Sequence, residues 1–70
     1  MISSEMIECL NANKFLVDEA IEERAKGNRF GASCLIRQYE TLVEEELDFW
    51  HVEWGYAFSL GLIEDVSSLH

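Results

Sequence analysis

Three observations predict an all-α fold. The chain contains no proline. Its apolar residues recur at three- and four-residue spacing over long stretches. The positions between them are rich in Glu, Ala and Leu, all strong helix formers. At 70 residues it is a single small helical domain, 1–70. A chain of this size buries only about 60% of its unfolded surface, so its own core is marginal and a partner subunit is expected.

The first element is expected over about 4–26. Ser3 or Ser4 can cap it, and Glu5 suits its first turn. Met6, Leu10, Val17, Ala20 and Ile21 form one apolar stripe. Asn11 and Asn13 interrupt the helical propensity, and Asn13 can act as a second N-cap. The region is therefore either one helix or a short helix followed by a longer one. Arg24 and Lys26 suit a helix C-terminus, and Gly27 suits the position just beyond it.

Gly27-Asn28-Arg29-Phe30-Gly31 is the clearest turn. The main helix is expected over about 32–54, with Ser33 as an alternative cap. Gly55 should break or bend the chain, and a short final helix should follow over about 56–66. Ser67 to His70 should fray.

On a helical wheel, Leu35, Ile36, Tyr39, Leu42, Val43, Leu47, Phe49, Trp50 and Trp54 occupy one half of the main helix. Leu35, Leu42, Phe49, Tyr56 and Ile63 also lie seven apart. A half-circle of apolar surface is wider than one antiparallel neighbour can cover. The expected architecture is a helical hairpin that completes a four-helix packing, as a homodimer or as a subunit of a complex.

Charge is unevenly distributed. Residues 38–70 carry eight carboxylates and no Lys or Arg, while the preceding residues are nearly balanced. Such a tail repels nucleic acid and anionic membrane and attracts basic protein surfaces. There is no apolar run near the ~18 residues of a membrane span and no leader-like N-terminus. The expectation is a cytoplasmic protein. Cys9 and Cys34 fit no ligand spacing and are expected as reduced, small apolar fillers of a helical core.

No catalytic or cofactor signature is present, so neither an enzyme nor a bound cofactor is expected. The candidate sites concern partner binding. Glu40, Glu44 and Asp48 place one carboxylate per turn on the polar half of the main helix, and Glu45 widens the face. Their step of about 6 Å is close to two phosphate steps of about 3.4 Å along a DNA strand. A rigid helix with this ladder can occupy a protein groove that normally holds nucleic acid. The bland alternative is a solubilising face. Glu46 and Glu53 fall within the apolar half, where a carboxylate needs a cation, a donor or an edge that reaches water. Trp50, Trp54, Tyr56 and Phe58 cluster around Gly55 as candidate interface anchors.

Asp48 and His51 stand three apart, with Glu44 a turn earlier. That spacing admits an alternative reading as a carboxylate/His metal-binding bundle, with Glu53 as a further ligand. The preferred reading is a protein–protein interaction module, inhibitory or modulatory, with a basic surface as its partner. In size, charge and helicity it resembles the small phage-encoded inhibitors of host enzymes, a likeness of type carried by no motif. The remaining alternative is a structural or regulatory adaptor.

Overall fold

The computed structural model describes residues 2–70, and it is all-α. The chain runs α1 (Ser4–Ala12), α2 (Phe15–Ala25), α3 (Arg29–Phe49) and α4 (Trp54–Ser59), and ends in a 3-10 turn, Ser67–Leu69. The first two helices form one bent limb that packs antiparallel to α3. The principal contact is between α2 and α3, and α1 makes a lesser one.

Ser3 caps α1, its Oγ accepting the Met6 N–H at 3.1 Å. The limb bends at Asn13-Lys14. Both residues keep right-handed helical dihedrals, but the Asn13, Lys14, Leu16 and Val17 N–H groups reach back three residues rather than four. The bend is a short tightening of the helix. Asn13 is the C-cap of α1, and no side chain caps α2. The expected second N-cap at Asn13 is not formed.

Gly27 takes φ +88° at the end of α2. The Asn28 N–H reaches the Glu23 carbonyl at 2.9 Å and the Gly27 N–H reaches the Arg24 carbonyl at 3.0 Å. This is a Schellman cap, and it needs a residue that tolerates the left-handed region. Asn28 then starts α3. Its Oδ1 accepts the Gly31 N–H at 3.0 Å, and its Nδ2 donates to Glu23 at 2.9 Å. The helix therefore begins three residues before the expected position, and Ser33 is not its cap. Gly31 lies inside the first turn, where a Cβ would stand 2.4 Å from the Asn28 amide nitrogen.

The end of α3 differs more. The helix stops at Phe49, not Trp54, and closes with a second Schellman cap. The Val52 N–H bonds the Leu47 carbonyl at 2.8 Å, and the His51 N–H bonds the Asp48 carbonyl at 3.1 Å. His51 occupies the left-handed position at φ +56°. Val52 packs back on the core, supplying the apolar contact that accompanies such a cap. The break thus precedes Gly55, which lies within α4. The final helix is 54–59 rather than 56–66. Gly61, at φ +73°, closes it through Leu62 N–H to Ala57 carbonyl and Gly61 N–H to Phe58 carbonyl bonds.

The core joins all of these elements. Met6, Leu10, Leu16, Val17 and Ala20 of the limb meet Ala32, Ile36, Tyr39, Val43 and Leu47 of α3, and Ala57, Ile63 and Val66 close over them. Ile21, expected in the first stripe, is exposed, and Leu16 is buried in its place. Phe49 is 71% exposed, so the apolar half of α3 is only partly covered. Tyr56 and Ile63 lie beyond the helix break and do not extend its seven-residue series. Cys9 and Cys34 are free and exposed rather than core fillers.

Tyr39 ties the C-terminal segment down. Its ring is fully buried, and its hydroxyl accepts the Glu64 N–H at 3.1 Å. Lys14 Nζ stands 3.6 Å from the Glu64 carboxylate, linking the same segment to the bend. That pair is partly exposed and contributes little. Asp65 accepts both the backbone N–H and the hydroxyl of Ser67, which holds its carboxyl below the ordinary range. Of the residues expected to fray, Ser67–Leu69 form a 3-10 turn and His70 follows it.

Burial pushes the Tyr39 phenol above its ordinary value. The Glu64 N–H opposes that shift, and the Glu64 charge adds to it. A raised native value means that the folded state holds the proton more tightly. The contribution is intact below the ordinary tyrosine value of about 10 and is lost as pH rises through the native value. Tyr39→Phe should cost about 1 kcal/mol at neutral pH, from the unpartnered Glu64 N–H. It should also flatten the alkaline loss of stability. Urea unfolding at pH 7 and above pH 10 checks both effects. Equal alkaline slopes for the two proteins would contradict the assignment.

Candidate partner-binding surface

The acidic ladder occupies the outer side of α3. Glu44 and Asp48 are exposed, as is the neighbouring Glu45. Glu40 is half-buried, and its Oε1 lies 2.8 Å from His70 Nε2. The final residue therefore covers one end of the ladder. Helical spacing accounts for the shared side, since residues four apart lie one above the other.

Glu46 and Glu53 have different surroundings. Glu46 is half-buried and accepts the Trp50 indole N–H at 2.6 Å. It also stands beside Cys9, whose thiol it pushes up in pKa, chiefly by hydrogen bonding. Its carboxylate is thus supplied with a donor at the junction of α1 and α3. Glu53 is not on α3. It precedes α4 as an exposed N-cap, and its side chain makes no capping bond.

Two open depressions flank Trp54. One, of about 330 Å³, is lined by Glu44, Leu47, Asp48, His51, Val52, Glu53 and Trp54. The other, of about 190 Å³, is lined by Glu40, Trp54, Phe58, Glu64, Asp65, Val66, Ser67 and His70. Trp54 is half-buried and belongs to both walls. The ladder and two of the aromatic candidates, Trp54 and Phe58, which are separate features of the sequence, line one surface in the fold. Its lining contains six carboxylates and no Lys or Arg.

The other aromatic candidates divide. Trp50 is half-buried as the C-cap of α3, edge-on to Phe49 at 5.2 Å between ring centroids. Tyr56 is 56% exposed on α4 and borders neither depression. Sequence reading did not place Glu64, Asp65, Val66 or His70 on this surface. They reach it only because the chain reverses after Phe49 and again after Ser59. The charge asymmetry was their only signal.

Glu44, Asp48 and His51 line the same depression. Even so, among the described residues no three His, Cys, Asp or Glu side chains come together in a way that could hold a metal ion. The helix ends before His51, so the helical spacing that would bring His51 over Asp48 is lost. The alternative Glu44–Asp48–His51 ligand set is not assembled. No helix among the described residues is long and apolar enough to cross a membrane. Comparison with protein-family models, curated proteins and solved structures gives no match.

His51 holds its left-handed conformation without glycine's freedom. Such a position carries local strain for a side chain with a Cβ, although His tolerates it better than most residues. His51→Gly should keep the cap and raise stability by about 0.5–1 kcal/mol. Thermal unfolding of the two proteins measures this. A loss of stability would mean that the His51 ring makes a stabilising contact of its own.

Proposed function

We propose that the protein is a small acidic interaction module that presents the carboxylate face of α3 to a basic surface of another protein. A nucleic-acid-binding groove is the natural form of such a surface, and occupying it would inhibit or modulate that protein. The observation that carries this reading is the solvent-facing arrangement of Glu44 and Asp48, with Glu40 a turn earlier, on a chain without Lys or Arg beyond Arg37. A surface helix that served only solubility would ordinarily mix both signs. The protein does not itself bind nucleic acid or an anionic membrane, because its field repels both.

The uncovered flank of α3 supports association as well. Phe49 is largely exposed, and Leu35 and Leu42 on the same side are half-buried. This is room for a second copy or for the apolar part of the partner's surface. The reading has no catalytic step and no cofactor.

Exposed carboxylates act mainly on encounter rate and contribute little to folding. In a kinetic binding assay with the captured partner, Glu44→Lys with Asp48→Lys should slow association about tenfold or more at low salt and leave the fold unchanged. Raising the ionic strength should weaken the native protein's binding more than the variant's. Equal association rates for the two would reduce the face to a solubility feature. So would a partner that still binds its nucleic acid normally when saturated with this protein.

A further inference from the structure

The two depressions share Trp54 and together form an open furrow. Leu47 and Val52 line one half, and Phe58 and Val66 line the other. Glu40, Glu44 and Asp48 of α3 also line the furrow, as do Glu53 and Glu64 from the chain beyond it. Two of these acids have partners within the chain, Glu40 with His70 and Glu64 with Lys14. Among the described residues, Glu44, Asp48 and Glu53 make no ion pair or side-chain hydrogen bond.

We propose that this furrow receives an arginine-bearing segment of the partner protein, with a guanidinium over the Trp54 indole and the α3 carboxylates as its counter-charges. The inference rests on the basic-partner reading above and adds to it the residue type that is recognised. Charge complementarity selects the occupant, because the charged lining is acidic apart from two histidines. The indole selects among cations. Arginine's planar, weakly hydrated guanidinium stacks on an aromatic face and presents a donor fork to carboxylates. Lysine's ammonium is a more strongly hydrated point charge without that fork. A second copy of this chain is a poor occupant, because the furrow would face a molecule of net charge −9.

The furrow also separates this reading from a plain phosphate mimic. A mimic needs only the ladder and would treat lysine and arginine alike. A furrow crossed by Trp54 distinguishes them. Recognition would then depend on the segment after α4 being docked on α3, and hence on the buried Tyr39 hydroxyl that accepts the Glu64 N–H.

The test uses two short amphipathic peptides, one bearing arginines on a helical face and one bearing lysines at the same positions, with a glutamine twin as the neutral reference. Trp54 fluorescence is read in Trp50→Phe, where it is the only indole. Calorimetric titration of the unsubstituted protein gives the same comparison should Trp50→Phe not fold. The expected result is saturable binding at low ionic strength, with arginine about three- to fivefold tighter than lysine. Trp54→Leu should remove that preference while both peptides still bind. Equal affinities for the two basic peptides in the unsubstituted protein would overturn the arginine assignment and leave the basic-partner reading standing. Basic peptides that bind no better than the glutamine twin would overturn both.

Discussion

One buried hydroxyl ties the returning C-terminal segment, whose Ala57, Ile63 and Val66 complete the core, to the middle of α3. Tyr39 is enclosed at the middle of α3, and its hydroxyl receives the backbone N–H of Glu64 from a segment 25 residues away. Around that bond, Ala57, Ile63 and Val66 complete a core that two helices alone would leave open. A buried phenol without a partner would be costly, and so would a part-buried N–H without an acceptor. The bond satisfies both and fixes the register between the helical limb and the returning segment.

That return has an electrostatic cost. It brings Glu64 and Asp65 to the same surface as Glu40, Glu44 and Asp48, and like charges gathered on a small protein oppose compactness. Local contacts relieve part of this. Lys14 faces Glu64, His70 faces Glu40, and Ser67 donates to Asp65. The rest is carried by apolar burial beneath. The carboxylates that Glu64 and Asp65 add to the ladder, and the burial of Ala57, Ile63 and Val66, are therefore consequences of one docking event. Losing the dock would disperse the furrow while leaving α2 and α3 able to pair.

Helical content, the first turn and the acidic ladder could all be read from local pattern. Apolar spacing marks the face of α3 that is buried, and Gly27 marks the end of α2. The course of the chain after Phe49 could not be read locally. Trp50, His51 and Val52 are acceptable helix residues, and nothing nearby requires a stop. The helix ends there because turning back lets Val52, Ala57, Ile63 and Val66 reach the core, a tertiary gain larger than the modest strain at His51. For the same reason the periodicity that carries the main helix on to Glu53 and Trp54 does not hold, and local pattern does not connect Glu64 and His70 to the ladder. Asn28, a favoured N-cap, falls inside the Gly27–Gly31 stretch that composition marks as a turn. In the fold, Gly31 lacks the Cβ that would collide with the Asn28 amide.

The central claim is that the Tyr39–Glu64 bond docks the C-terminal segment as part of the cooperative core. Native-state hydrogen exchange at the Glu64 amide tests it most directly. The account predicts that this amide exchanges only on global unfolding, with protection approaching that of Val43 in the buried face of α3. Free exchange at Glu64 beside a protected Val43 would contradict it, and would mean that the returning segment, and the furrow it helps to wall, is not part of the folded core.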